Sequence, residues 1–295
     1  MTEYSIRTFQ AGFEAEQARI GREVAMQWVW PFAYDQEDLL KIHSQPDFDP
    51  DTHLYCFQDD EMVGYQTSNL ISGEGQTTAS LDFPRLLPGH DQAAMILLEK
   101  ALETLRNKGV SKVVGRVSSM IPDEVTWAEK AGFAIKEWGY KVYYAYSTSQ
   151  GKLDVQDDLV EEINPETDLE ACATLASHWY KQPVDWCLKQ LQEWHQYGVI
   201  AHLGIRSSGK WVASCMTARN VIRPTTAANY YIYTPDESLL QPLISRVINH
   251  CVENKVENLI ADLIHDHRRF ESVYQQLGFT RVAEWGKCEK ILTPG

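Results

Sequence analysis

A few side chains in this 295-residue sequence have the chemistry to move a proton. Tyr274 carries a phenol, which can donate a proton to a departing group, and Asp82 and Glu61 carry carboxylates, which can accept one. His265 and His267 stand two residues apart, a spacing that reaches one metal ion only from an extended backbone, and no third ligand is evident. We therefore expect no metal site, and we interpret these histidines as part of a solvated loop or a helix cap.

The elements that position these residues occur twice in the chain. The segment 127–133, Trp-Ala-Glu-Lys-Ala-Gly-Phe, recurs 146 residues later as 273–279, Val-Tyr-Gln-Gln-Leu-Gly-Phe. A Glu-Trp-Gly triplet follows each segment, at 137–139 and at 284–286. A period of about half the chain is too long for a solenoid repeat, so each copy is predicted to be a whole domain.

The same elements precede the repeated segment in both copies. Apolar residues at helical spacing predict a central helix over 97–108 and again over 243–254. A short apolar strand follows each helix, at 113–117 and at 259–263. The order of strands and helices in each half predicts a mixed α/β domain.

The domain boundaries follow from the repeat and from local composition. The polar, acidic segment 151–157 is predicted to link two domains, at 1–150 and 158–295. Upstream of the central helices the offset changes, because 81–83 pairs with 230–232 at a distance of 149 residues. The second copy is therefore predicted to have lost three residues between strand and helix.

Composition and charge exclude several classes of protein. With 44% hydrophobic and 23% charged residues each half can bury a core, and no apolar run is long enough to span a membrane. A net charge of -14 repels phosphate backbones, so nucleic-acid binding is not expected. The six cysteines have no metal-ligand spacing, and the first residues lack the pattern of a signal peptide. We therefore expect a cytoplasmic protein with reduced thiols.

The repeated Gly-Phe segment and the order of elements resemble the GNAT superfamily of acyl-CoA-dependent N-acetyltransferases. The resemblance covers about residues 1–150 and 158–295, as two tandem copies. It implies an α/β fold in which each domain is a mostly antiparallel mixed sheet flanked by helices. It also implies acetyl-CoA as a co-substrate, with its pyrophosphate held by backbone N–H groups at the turn that opens the central helix. Helix N-termini suit this task because their free amides and the helix dipole both favour an anion.

The resemblance makes six consecutive residues of the first copy the cofactor-binding turn, which are Gly89, His90, Asp91, Gln92, Ala93 and Ala94. Gln92 and Ala94 stand where the family has glycine, but the turn contains no proline, so an unbroken row of amide donors is predicted. Arg85 and His90 could help to neutralise the phosphates. Asp91 adds an unfavourable negative charge, and an ordinary helix start capped by Asp91 is the alternative.

The corresponding turn of the second copy, 233–243, is predicted not to bind acetyl-CoA. Asp236 and Glu237 bring two negative charges to it. Pro242 removes an amide donor, although it suits the first turn of a helix. The first copy is therefore the predicted seat of cofactor binding.

The predicted catalytic residues are divided between the copies. The resemblance makes Tyr274 the general acid that protonates the leaving thiolate, whereas the first copy carries Trp127 at that position; a packing role for Tyr274 is the alternative. Asp82 is the candidate base for an ammonium acceptor. The aromatic stretches 28–34 and 178–186 correspond to helices that form an acceptor wall in the family, but they could equally pack the two copies together.

The resemblance implies an N-acyltransferase that moves an acetyl group from acetyl-CoA to an amine of a small molecule or peptide by direct attack. The alternative is a non-catalytic binding or scaffold protein in which neither copy has kept its chemistry. No nucleic-acid or membrane partner is expected. The chain is expected to be a monomer or a homodimer, because a tandem pair can satisfy internally the interface that single-domain members form by dimerising.

Overall fold

The chain forms two compact units, the first of which takes both ends of the sequence. The first unit contains Met1–Lys141 and Ala283–Gly295, and the second contains Val142–Val282. The computed structural model describes four stretches of the chain, which are residues 3–71, 77–154, 159–196 and 198–293.

The boundaries of the two units differ from those of the predicted domains. The predicted domains 1–150 and 158–295 assign the end of the chain to the second copy, whereas Ala283–Gly295 belongs to the first compact unit. Of the predicted linker 151–157, residues 155–157 lie outside the described part of the chain. The linker therefore stays a prediction.

The elements alternate between strands and helices in both units. In the first unit they are β1 Ser5–Thr8, α1 Glu14–Ala25, α2 Gln36–His43, β2 His53–Gln58, β3 Glu61–Ile71, β4 Thr78–Leu81, β5 Arg85–Leu86, α3 Ala93–Asn107, β6 Lys112–Ser118, α4 Pro122–Lys130 and the start of β7 Ala134–Ser147. In the second unit, after the end of β7, they are β8 Val160–Glu162, α5 Leu169–Tyr180, α6 Val184–His195, β9 Val199–Ser207, β10 Lys210–Arg219, β11 Thr226–Tyr233, α7 Leu240–Glu253, β12 Asn258–Ile264, α8 Glu271–Gln276 and the start of β13 Thr280–Ile291.

Each unit contains a mostly antiparallel mixed sheet. The first unit has the strand order β1-β2-β3-β4-β6-β13, with β5 paired to β3. The second unit has the order β8-β9-β10-β11-β12. Within these described strands, β4 with β6 and β11 with β12 are parallel, and the other pairs are antiparallel. The sheets and their flanking helices confirm the predicted fold class.

The registers of the two parallel pairs correct the predicted contraction. Thr78 lies opposite Lys112 in the first unit, and Thr226 lies opposite Asn258 in the second. The strand before the helix is therefore offset by 148 residues and the strand after it by 146. The second copy has lost two residues between these strands, rather than three, because the segment 230–232 lies one position further along its strand than the sequence match suggested.

Both central helices form because their apolar residues recur at helical spacing and can be buried against the sheet. Burial of each large apolar side chain contributes about 2 kcal/mol. In α3 the buried residues include Leu97, Leu98, Ala101, Leu102 and Leu105. In α7 they include Leu243, Ile244, Val247, Ile248 and Cys251. Of the helices described, none combines the length and the apolar character needed to cross a bilayer.

Candidate functional site

A gap opens in the first unit where the parallel strands β4 and β6 part. Their last pair is Leu81 with Gly115. Beyond it, the Asp82 N–H donates to the Thr67 carbonyl at 3.0 Å, and the chain continues as β5 alongside β3. The end of β6 instead pairs with β13, where Ser118 lies opposite Trp285. Backbone groups on the two sides of the gap are therefore not paired with each other, so they can hydrogen-bond to a ligand.

The turn after this gap leads into α3 and holds the predicted cofactor-binding residues. The N–H groups of His90, Ala93 and Ala94 donate to the carbonyls of Leu87, His90 and Asp91, at 3.2, 2.8 and 3.1 Å. The predicted row of six free donors is therefore wrong for these three residues, because tight turns around the start of α3 use their amides.

Three amides of this turn can still donate a hydrogen bond to a ligand. In the described part of the chain, the N–H groups of Gly89, Asp91 and Gln92 have no hydrogen-bond acceptor. Gly89 has a φ of +90°, and a Cβ there would meet nothing within 4 Å, so the space in front of the turn is open. The His90 ring is turned away towards Tyr4, with 3.4 Å between Nδ1 and the hydroxyl.

The corresponding turn of the second unit engages three of its own amides. The Asp236 carboxylate accepts the Ser238 N–H at 2.9 Å, and the Asp236 carbonyl accepts the Leu239 N–H at 3.2 Å. The Thr234 hydroxyl accepts the Asp236 N–H at 3.2 Å. The hydrogen bonds that Ser238 makes to this carboxylate lower the pKa of Asp236, so the turn presents a negative charge to any phosphate.

Asp82, the predicted base, lies beside the gap of the first unit. Its Oδ2 accepts a hydrogen bond from the Thr67 hydroxyl at 3.1 Å, and the residue is exposed. It lines a cleft of 550 Å³ on the sheet of this unit, which we call the strand cleft and define by Ser80, Asp82, Val114, Arg116, Lys287 and Glu289. A cleft of this volume is the size of a small-molecule site.

Sequence reasoning missed a buried carboxylate beside the same gap. Glu124 in α4 is 1% exposed, accepts the Ser118 N–H at Oε2 (3.0 Å) and pairs at Oε1 with Arg85 Nη1 (3.0 Å). Because Arg85 belongs to β5 and Ser118 to β6, this carboxylate bridges β5 and β6. The signal was in the sequence, since Glu124 shares a helix face with the buried Ala128 and Ala131.

Burial controls the protonation of this carboxylate. Desolvation raises the pKa of Glu124 from 4.5 to about 7, against the opposing effects of Arg85 and of the Ser118 N–H. The Arg85 guanidinium also lies over the Trp28 ring, with its central carbon 4.2 Å from the ring centre. Trp28 begins the aromatic stretch predicted to form an acceptor wall, and its side chain is 8% exposed. Phe32 and Tyr34, later in that stretch, are exposed.

Tyr274, the predicted general acid, lies in the other unit. Its side chain is fully buried and packs edge-on against Phe279 at 5.0 Å between ring centres. Its hydroxyl has no hydrogen-bond partner among the described residues, and burial raises its pKa well above 10. By the 146-residue offset Ala128, rather than Trp127, occupies its position in the first unit. The role of Tyr274 as an acid stays a prediction.

The segment 265–269 forms a short 3-10 helix ahead of α8. The Trp179 indole N–H donates to His267 Nε2 at 2.8 Å, and the two rings stack. The side chain of His265 lies outside the described part of the chain. Among the described residues, no group of three or more His, Cys, Asp or Glu could hold a metal ion, and all six cysteines are buried and free.

Comparison with solved structures decides what this arrangement of elements is. A GCN5-related N-acetyltransferase from Sphaerobacter thermophilus is 12% identical over 99% of this chain and 96% of its own, with a TM-score of 0.64. A tandem GNAT protein from the clavulanic acid biosynthesis pathway is 14% identical over 99% and 100%, with a TM-score of 0.63. The chain has a tandem GNAT fold. A GNAT-family acetyltransferase from Colwellia psychrerythraea shares the GNAT fold at 14% identity over 97% and 99%, with a TM-score of 0.69. No protein-family model and no curated protein sequence matches the chain.

Proposed function

We propose that this protein is an N-acyltransferase that moves an acetyl group from acetyl-CoA to an amine, and that the first unit carries the reaction. The observation that supports this assignment is the grouping of three features in one unit. These are a gap between parallel strands, a turn with free amides after it, and the carboxylate of Asp82 beside it.

The turn of the first unit fits a phosphate group through its backbone. The free N–H groups of Asp91 and Gln92 precede α3, where the helix dipole also favours an anion. Gly89 leaves open space in front of them. The Asp91 carboxylate opposes this fit, so we expect the turn to bind the pyrophosphate of acetyl-CoA weakly.

The residues around the gap suit direct transfer to an amine. Acetyl-CoA, when bound, would supply the acetyl group as a thioester: the amine nitrogen bonds to its carbonyl carbon, the carbon–sulfur bond breaks, and solvent protonates the leaving thiolate. Asp82 would hold the acceptor ammonium at its free carboxylate oxygen and accept its proton on the way to water. Glu124 binds both the Arg85 guanidinium, which lies over Trp28, and the Ser118 N–H, and so connects the two sides of the gap. Proximity of amine and thioester supplies the rest of the rate enhancement.

A non-catalytic binding or scaffold protein is the second candidate. The observation that favours it is the first unit's turn, in which three of six amides are engaged and Asp91 is acidic. This candidate differs from the enzyme in a measurable way, because a scaffold needs no acetyl-CoA.

The test is an assay of thiol release from acetyl-CoA with a panel of primary amines and short peptides, with products identified by mass spectrometry. We expect acetylated amine and free thiol in equal amounts. Asp60→Asn, which changes an exposed acid paired with Arg7, is the control for Asp82→Asn. Absence of product with every amine, together with no saturable binding at millimolar acetyl-CoA, would reject the enzyme and leave the scaffold.

A further inference from the structure

The strand cleft of the first unit contains several charged side chains, most of which neutralise one another. Lys287 pairs with Glu137 at 2.8 Å. Glu289 pairs with Lys112 at 2.6 Å and with Lys136 at 3.5 Å. The four of these side chains that line the cleft are Lys136, Glu137, Lys287 and Glu289, and their charges sum to zero, whereas Lys112 lies outside the lining and adds one positive charge nearby.

Two opposite charges of the strand cleft stay outside these pairs. Asp82 accepts a hydrogen bond from Thr67, and within the described ranges neither Asp82 nor Arg116 takes part in an ion pair. Arg116 is exposed, and its guanidinium makes no hydrogen bond to any described residue. A guanidinium has five N–H donors in a planar fork that matches a carboxylate.

The fold explains why these two residues are neighbours that do not pair. Ser80 lies opposite Val114, and Leu81 lies opposite Gly115, so Asp82 and Arg116 come next on the two strands. Every second side chain along a strand faces the same side of the sheet. Asp82 and Arg116 both line the strand cleft. The strands part at this step, which separates the carboxylate from the guanidinium.

We propose that the acceptor is a small zwitterion, meaning an amine that also carries a carboxylate, such as an α-amino acid. Its ammonium group binds Asp82 beside the gap, and its carboxylate binds the Arg116 fork in the strand cleft. The reaction at this site rests on the proposed acyl transfer, whereas recognition of the zwitterion does not. Both side chains are exposed, so each charge of the ligand can reach its partner, and the paired geometry gives selectivity.

The same positions of the second unit cannot make this site. The 146-residue offset places Asp262 where the first unit has Arg116. At the position of Asp82 the second copy carries a tyrosine, whether the offset is 148 or 149. The pair of opposite charges is therefore specific to the first unit.

Calorimetry on the full chain, with CoA present to prevent turnover, tests the proposal with matched ligands. The ligands are tyrosine and tyramine, tryptophan and tryptamine, histidine and histamine, lysine and cadaverine, and the remaining α-amino acids with their decarboxylated amines. We expect at least one amino acid to bind tenfold or more tightly than its amine. The proposal is overturned if every amine binds as tightly as its amino acid, or if no member of the panel binds.

Variants identify the residue responsible for the preference. Arg116→Gln should abolish it, Arg116→Lys should keep part of it, and Arg106→Gln is the control because Arg106 lies in α3 and does not line the strand cleft. A preference that persists in Arg116→Gln contradicts the proposal. So does a loss of acetyl-CoA binding in that variant, because Arg116 would then hold a phosphate. Circular dichroism checks that each variant is folded.

The binding and the reaction can fail separately. An amino acid that binds with the expected preference but yields no acetylated product supports the zwitterion site and rejects the proposed acyl transfer. Acetylation of amines without any preference for a carboxylate supports the acyl transfer and rejects the zwitterion site.

Discussion

In the first unit the parallel strands part beside an exposed carboxylate, whereas in the second they part beside tyrosines and a buried phenol. Both units share the order of strands and the helix that follows the gap. The turn before that helix keeps free amides in the first unit and caps itself with Asp236 in the second. The comparison shows that backbone topology fixes where a site can form, and that a few local side chains decide whether it can bind a charged ligand.

The cores of the two units differ at matching positions. By the 146-residue offset, the buried Glu124 corresponds to the buried Phe270, and Ala128 corresponds to Tyr274. Helix α4 thus buries the Glu124 carboxylate, which has hydrogen-bond partners. Helix α8 buries the Tyr274 hydroxyl, which has none among the described residues. A buried hydroxyl without a partner costs about 1–3 kcal/mol, so the second unit retains this phenol at a cost to stability.

The largest expected effect comes from removing the base of the first unit. We expect Asp82→Asn to lower turnover about 1000-fold, because general base catalysis contributes roughly 100- to 10,000-fold. Calorimetric affinity for acetyl-CoA should stay unchanged, since Asp82 does not belong to the turn. A turnover within threefold of the native value would remove Asp82 from the mechanism and weaken the distinction between the units.

The next effect concerns the buried carboxylate of the first unit. Because the pKa of Glu124 rises from 4.5 to about 7 on folding, the unfolded chain loses this proton first as pH rises. Stability from this group is therefore full below pH 4.5 and falls by about 3 kcal/mol up to pH 7. Glu124→Gln should remove that decline.

Urea unfolding at several pH values measures this effect as the difference between the native chain and the variant. The difference isolates Glu124 from buried histidines such as His202, whose pKa is lowered to about 3 by burial and whose contribution rises with pH. Glu271→Gln is the matched control in the second unit, because Glu271 is partly exposed and pairs with Arg268. Parallel pH profiles for Glu124→Gln and the native chain would contradict the assignment.

A smaller effect distinguishes the two turns. Asp91→Asn removes a negative charge beside the free amides of the first unit, and we expect affinity for acetyl-CoA to rise about threefold, the size of a helix-terminus charge effect. Asp236→Asn in the second unit should leave the affinity unchanged. If Asp236→Asn raised the affinity and Asp91→Asn did not, the cofactor site would belong to the second unit.

The smallest effect is expected at Tyr274. Tyr274→Phe loses no hydrogen bond, so turnover should stay within about twofold and the free energy of unfolding should not fall. Steady-state kinetics and urea unfolding check both values. A 100-fold fall in turnover, with acetyl-CoA affinity unchanged, would instead make Tyr274 the general acid expected from the sequence and would break the comparison.

Much of the fold could be predicted because its signals are local. Helical spacing of leucines and the repeated Gly-Phe segment predict α3, α7 and the tandem GNAT fold, which the structure confirms. The return of β13 to the first unit could not be predicted. Nothing in the triplet 284–286 states which sheet it joins, and its pairing with β6 is a contact between distant parts of the chain.

The candidate site was predictable only in part for the same reason. Asp82 and the turn residues stand out by type and position along the sequence. The bridge from Glu124 to Arg85 and the neighbouring charges of Asp82 and Arg116 depend on strand register, which residue types alone do not fix. Which amides of the turn are hydrogen-bonded depends on its backbone angles, and the residue types of the turn do not determine those angles.

The central claim is that the first unit alone binds acetyl-CoA, and titration calorimetry of the full chain tests it most directly. Gln92→Pro removes one free donor at a φ of -60°, which proline adopts. We predict one site per chain for the native protein and no saturable binding for this variant, with folding verified by circular dichroism. Two sites per chain, or undiminished binding in Gln92→Pro, would contradict the account.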